Sequence, residues 1–167
     1  HYSSRRQRQM CIRDSITALN PLAQIPVLES SDGFAISESM AISRYLDERF
    51  PAPRPLFGEK LEERARVHMW ARRAELWLFV PAVEYGHHKH PMFAAGGFDQ
   101  SPRVASDNLE RIERSFGLLD DALSQSEWIA GDELSIADVV AYTGLCLAGV
   151  WRVEAPESLE HLSLIHI

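Results

Sequence analysis

Several short runs in this sequence combine residue types that do chemistry. Ser37-Glu38-Ser39 places hydroxyls and a carboxylate just where Met40, Ile42, Tyr45 and Leu46 begin to recur at helical spacing. A helix N-terminus is therefore expected there, with Ser37 as N-cap; its free amides suit an anion, although acid and Ser are also what a first turn favours by itself. His87-His88-Lys89-His90 offers imidazoles, common metal ligands. No carboxylate or Cys stands at ligand spacing and Pro91 follows, so the run reads as a solvated loop after a helix, with no metal centre. Cys146 falls in an apolar helical run and reads as a buried, inert thiol. Ser135-Ile136-Ala137-Asp138 is a capping-box variant, in which the Ser hydroxyl accepts from the Asp138 amide and the Asp carboxylate reaches back to the Ser135 amide.

The elements that must position these groups differ in kind along the chain. Asn20-Pro21 marks a turn, and Ile25-Pro26-Val27-Leu28-Glu29 reads as a short strand whose proline confines its start to an edge or a ligand. Ser30-Ser31-Asp32-Gly33 is a hairpin turn, and Phe34-Ala35-Ile36 pairs back before the helix that Phe50-Pro51 ends. Residues 51–58, PAPRPLFG, form a stiff connector and a domain boundary. Beyond it the pattern is helical throughout. A first helix is expected over about 59–80, a second over 102–123 with Leu109, Ile112, Phe116, Leu119 and Leu123 on one face, and a third over about 135–150. The third is apolar nearly all round and should be the buried centre of its domain, with Leu134 stapled against Val139. Pro156 looks like the first turn of one more helix.

Composition restricts the function class. The chain has 167 residues, 46% hydrophobic and 25% charged, with 17 Lys and Arg against 24 Asp and Glu. A net charge of −7 argues against a nucleic-acid partner held by a broad basic surface. Two cysteines are too few for a disulfide framework, so a cytoplasmic setting is expected, and no apolar run approaches the roughly 20 residues of a membrane-spanning helix.

The two ends stand apart. Met10 to Ser15 can be written ATG-TGT-ATA-AGA-GAC-AGN and Ser163 to Ile167 TCT-CTT-ATA-CAC-ATC, and over fourteen nucleotides the second string is the reverse complement of the first. Opposite strands of one DNA element at the two ends resemble a transposase-type sequencing adapter, a resemblance that extends over Arg5-Arg6-Gln7-Arg8-Gln9 and to Leu162. Residues 1–15 and 162–167 are accordingly expected to be adapter translation. The segment between them holds 13 Lys and Arg against 23 Asp and Glu, a net −10.

Two stretches carry a resemblance to a family. NPLAQIPVLESSDGFAISESMAISRYLDERFP, residues 20–51, resembles the second half of the thioredoxin-like domain of cytosolic, bacterial-type glutathione transferases. WIAGDELSIADVVAY, residues 128–142, resembles the capping box and staple of the same family's central helix. The resemblance implies an α/β plus all-α fold: residues 16–50 as the C-terminal half of a thioredoxin-like glutathione-binding domain, 51–58 as linker, and 59–161 as an all-helical domain.

By that resemblance Pro26 sits where the family keeps a cis-proline, and Ile25 offers its backbone N–H and C=O to the cysteinyl part of glutathione. Glu38 and Ser39 match the pair that holds the γ-glutamyl end, an ammonium against the carboxylate and a carboxylate against the hydroxyl and helix amides; Gln24 is a further candidate. Met69, Trp70, Arg73, Tyr85 and His88 are candidates for an electrophile pocket, although Trp70 and Trp77 also suit core and dimer packing. The family's thiol-activating Ser, Tyr or Cys follows a first strand that has no counterpart here, so no catalytic residue is named and the chain is expected to bind glutathione weakly or not at all, without turnover, and to aggregate. The implied parent is a homodimeric enzyme that takes glutathione as co-substrate and a small electrophile, with no metal, nucleic-acid or membrane partner. A non-catalytic interaction module associated with transcription or translation, and a glutathione-dependent isomerase, are the alternatives.

Overall fold

A computed structural model describes residues 15–162. The segments expected to be adapter translation therefore lie almost wholly outside the described residues. The chain forms two compact units, one through Pro55 and the other from Leu56, so the division falls inside the proline-rich connector.

In the first unit, residues 15–19 are helical (α1), an element the sequence pattern does not announce. The chain turns at Asn20 and enters β1 (Val27–Glu29), which pairs antiparallel with β2 (Ala35–Ser37) in the register Val27–Ser37, Leu28–Ile36, Glu29–Ala35. The first strand starts after Pro26, which brings no ladder donor, and the second is shifted by one residue relative to expectation. Gly33 takes φ 84° in the connecting turn. The Ser30 hydroxyl bonds the Asp32 carboxylate there and, with the Phe34 and Asp32 amides, holds that carboxyl below its usual range.

Helix α2 spans Ser39–Arg49. Its N-cap is Glu38 rather than Ser37, since Ser37 is drawn into β2 opposite Val27. Phe34 and Tyr45 stack at 5.2 Å, yet α2 fully buries none of its residues, and Leu22 and Ile25 are 67% and 77% exposed. A two-stranded ribbon with one helix offers too little apolar surface to enclose them.

The second unit is helical. Its first helix does not stop near residue 80: α3 (Leu61–Ala74) continues through a π-helical turn, Glu75–Phe79, into α4 (Val80–Lys89). Pro81 explains the wide turn. Val80 N–H reaches back to Glu75 O, five residues away, which leaves Leu76 O facing a proline that has no N–H. Arg111 Nη2 donates to that carbonyl at 3.0 Å, so a side chain from another helix completes what the backbone cannot.

A short α5 (Pro91–Ala95) precedes α6 (Pro102–Leu123), whose N-cap Ser101 accepts from Val104 N–H at 3.4 Å. Of the face expected for α6, Ile112, Phe116, Leu119 and Leu123 join Leu78, Ala82, Ala141 and Leu145 in the core, while Leu109 is half-buried.

Helix α7 (Ile136–Val150) starts on the expected capping box. Asp138 takes Ser135 N–H and the Ser135 hydroxyl at 2.8 Å each, and the Ser135 oxygen accepts from Ala137 N–H at 3.2 Å. Helix α7 is not buried all round, however. Ala137, Ala141 and Ala148 are fully enclosed, whereas Val139, Tyr142 and Val150 are 44%, 47% and 65% exposed, because α3, α4 and the π-turn cover one side only. Leu134 is 45% exposed beside it. The helix expected at Pro156 is absent among the described residues; a single turn closes there, with Leu159 N–H donating to Pro156 O at 3.0 Å. Leu162 is 2% exposed in the core, and its amide donates to Asp120 Oδ1 at 2.8 Å.

Candidate functional site

The hairpin register of the first unit does the positioning. Because Val27 pairs with Ser37, the next step outward sets Pro26 beside Glu38, so the Gln24-Ile25-Pro26 segment and the start of α2 share one end of the ribbon. The cis peptide precedes Pro26 as the resemblance implies. Neither backbone group of Ile25 is hydrogen-bonded among the described residues, and the side chain is 77% exposed. An extended segment with a free donor and acceptor can take one more strand-like ligand.

Asn20 holds this segment in place, a part that reading Asn20-Pro21 as a turn leaves out. It is 2% exposed; its Nδ2 donates to Gln24 O at 2.8 Å and its Oδ1 accepts Leu22 N–H at 3.1 Å. The Gln24 carbonyl is thereby engaged, and its side chain is what remains for a ligand. Asn is a residue that closes such local loops with its own side chain, and that was the available signal.

At the other side of the site Glu38 has φ 72° and ψ 118°, a conformation that costs a non-glycine residue of order 1–3 kcal/mol. It caps α2 without a side-chain bond, and its carbonyl accepts Ile42 N–H at 2.9 Å as the first helical bond. The first amides of α2 consequently lack intrahelical partners. Glu38 and Ser39 are both exposed beside them. One carboxylate, one hydroxyl and a set of free amides at a helix N-terminus can hold a group bearing an ammonium and a carboxylate.

The five pocket candidates of the second unit do not form one cavity. Met69 is 40% exposed and Trp70 packs on the core with the Arg73 guanidinium 4.8 Å over its ring. Arg73 also lines a cleft of about 550 Å3 with Trp77, Arg114, Ser115, Gly117, Leu118 and Asp121, none of which is another candidate. Tyr85 packs against the core from α4. His87, His88 and Lys89 are not a solvated loop but the last turn of α4, extended because the π-turn carries the helix past Pro81. His88 Nδ1 accepts Ser101 N–H at 3.0 Å.

Cys146 is exposed, not buried, since it lies on the uncovered side of α7. It lines a second cleft of about 680 Å3 with Phe116, Leu145 and residues of the 153–162 segment. Through a hydrogen bond and its charge it raises the Tyr142 hydroxyl above its ordinary value.

Comparison with known proteins bears on the family and the fold. The family model described as "Glutathione S-transferase, N-terminal domain" matches residues 5–49, running across the basic stretch at 5–15, and that described as "Glutathione S-transferase, C-terminal domain" matches 77–163. Glutathione S-transferase 2 of Saccharomyces cerevisiae is 32% identical over 146 residues, covering 87% of this chain; the chain spans 62% of that relative's length. Elongation factor 1-gamma 1 of Oryza sativa is 30% identical over 124 residues, 73% of this chain and 28% of that protein. The crystal structure of a glutathione S-transferase domain-containing protein from Marinobacter aquaeolei VT8 superposes with a TM-score of 0.82 at 34% identity, covering 91% of this chain and 74% of the other.

Proposed function

The chain belongs to the glutathione S-transferase family, and from that premise we propose that the protein it represents binds glutathione on the first unit and adds its thiolate to small electrophiles. The observation that carries this reading is the shared end of the ribbon: an unpaired Ile25 backbone beside cis-Pro26, next to Glu38, Ser39 and the open amides of α2. Glutathione is a tripeptide whose middle suits a strand edge and whose γ-glutamyl end bears both an ammonium and a carboxylate. Ile25 would take the cysteinyl backbone, Glu38 the ammonium, and Ser39 with the helix amides the carboxylate; the Gln24 side chain would reach the peptide backbone.

The chemical step needs the thiolate, since a free thiol near pKa 8.5 is mostly protonated at neutral pH. A donor that stabilises the anion has no counterpart among the residues of this site. We therefore propose that this chain binds glutathione weakly and does not conjugate it. Conjugation of a model electrophile by the purified chain at millimolar glutathione would overturn that.

A cytoplasmic homodimer is part of the same reading. No helix among the described residues is long and apolar enough to cross a membrane. Trp77 is 41% exposed, with Arg111 and Arg114 stacked over it at 5.2 and 5.8 Å, and Leu76 and Leu118 are 39% exposed nearby. Aromatic and Arg side chains of this kind suit a protein interface. Light scattering on the chain and on Trp77→Ala tests it: a dimer that the substitution dissociates is expected, and a monomeric parent chain would refute it.

A further inference from the structure

The connection between α4 and α6 is tied down by imidazole nitrogens. His88 Nδ1, in the last turn of α4, accepts Ser101 N–H at 3.0 Å, and Ser101 is the N-cap of α6. His90 Nδ1 accepts Met92 N–H at 3.3 Å and so caps α5. Between these points Gln100 Nε2 donates to His87 O at 2.9 Å and His90 O at 2.8 Å, satisfying carbonyls at the end of α4. Aromatic edges close the segment: Phe98 lies 5.0 Å from the His88 ring and 5.4 Å from His87, Phe93 lies 4.6 Å from His87, and His90 lies 5.4 Å from Trp151.

An imidazole nitrogen accepts a hydrogen bond only while it carries no proton. We propose that residues 90–101 form a proton-sensitive strap, latched across the end of α4 by the unprotonated Nδ1 atoms of His88 and His90 and released when those atoms take a proton. Adding the second proton to either ring converts the acceptor into a donor facing an N–H, and that bond must break. Imidazole is the side chain whose ordinary titration falls between pH 5 and 8.

The surrounding charges work in two directions. Glu84 Oε2 lies 3.8 Å from His88 Nε2 and Oε1 lies 3.9 Å from His87 Nδ1. In the latched form it favours a proton on His88 Nε2, the tautomer that leaves Nδ1 free to accept; in the released form it faces the cation. The charged residues nearest along the chain are Lys89 at the end of α4, Asp99 in the strap, and Arg103 and Asp107 in the first turns of α6, while Arg152 and Glu154 follow α7. Arg103 and Asp107 face each other at 3.8 Å, and among the described residues only Glu84 is within ion-pair distance of the His88 and His87 rings. Release therefore rests on His88 and His90 losing their acceptors. Gln100 keeps its bonds to His87 O and His90 O, the latter shared with Phe93 N–H at 3.2 Å.

Amide hydrogen exchange of the whole chain between pH 7.5 and 5, corrected for the intrinsic pH dependence of exchange, reads the strap directly. Protection of residues 91–101 should fall by about tenfold or more on acidification while that of Ile112–Leu119 inside α6 stays constant. In His88→Asn/His90→Asn, whose Oδ1 atoms stand near the Nδ1 positions and do not titrate, strap protection should be independent of pH. Unchanged protection in the parent chain, or the same acid loss in the double variant, would overturn the proposal. Nitrogen-15 shifts of the imidazoles in the parent chain give a test that needs no variant: both rings should carry their neutral-pH proton on Nε2, and a proton on Nδ1 of His88 would refute the latch.

Discussion

One oxygen of Asp138 accepts the Ile129 amide at 2.8 Å across nine residues, tying the start of α7 to the loop before it. The other oxygen takes Ser135 N–H and the Ser135 hydroxyl, so a carboxylate 6% exposed serves three donors at once. Short charge-assisted bonds of this kind offset the burial of the group.

Asp138→Ala should accordingly destabilise the second unit by about 2–4 kcal/mol, since two buried amides lose their partner. Ser135→Ala should cost about 1 kcal/mol. Urea unfolding followed by far-UV circular dichroism separates the two. Equal effects would mean that the reach to Ile129 adds nothing to the cap.

Arg111→Ala should cost about 0.5–1 kcal/mol, since water replaces the guanidinium at the exposed Leu76 O. Pro81→Ala returns an N–H to the helix, and the two substitutions should couple: in the Pro81→Ala background the loss on removing Arg111 should shrink. Additive losses in a double-mutant cycle would show that Arg111 acts through its stacking on Trp77 instead.

Gly86 has no room for a side chain. A Cβ there would overlap the indole of Trp151, whose buried Nε1 has no hydrogen-bond partner among the described residues. Gly86→Ala should therefore lower stability by about 1–3 kcal/mol. Trp151→Leu in the same chain should recover part of that loss, and a thermal-shift series of the four combinations checks it.

Glu63 gives a pH signature. Its Oε2 accepts Glu59 N–H at 3.1 Å and Lys60 N–H at 3.3 Å, and these bonds hold its carboxyl below the usual glutamate value. A depressed folded-state value means stability that is fully present above the unfolded value and is lost as the pH falls through the folded one. The contribution is small because the group is solvent-screened. Glu63→Gln should remove a shallow acid slope below about pH 4.5 from the urea-unfolding free energy and leave its neutral-pH value lower by a few tenths of a kcal/mol.

Much of this architecture is legible in the sequence because local signals and packing agree. Pro102 to Leu123 carries an N-cap Ser, a first-turn proline and one apolar face, and the helix occupies that range. Ser135 and Asp138 announce α7 by spacing alone. The long helix was hidden by Pro81, a local stop signal that a π-turn and a distant arginine override. Apolar composition made α7 look buried, yet exposure depends on which neighbours exist, and composition does not count them. At the candidate site the residue types near Pro26 and Glu38 are readable, while the positive φ of Glu38 and the hold of Asn20 on Gln24 arise only once the hairpin register is set.

The positive φ separates strain from binding. Glu38→Gly relieves it, so stability should not fall, while loss of the carboxylate should weaken glutathione binding.

The most direct measurement is a proton–nitrogen correlation spectrum of the chain titrated with reduced glutathione to roughly tens of millimolar, enough to populate a weak complex. Amide shifts should concentrate at 24–27 and 38–41 and should be largely abolished in Ser39→Ala. Shifts confined to the second unit, or none at 24–27 and 38–41, would contradict the placement of glutathione at the shared end of the ribbon.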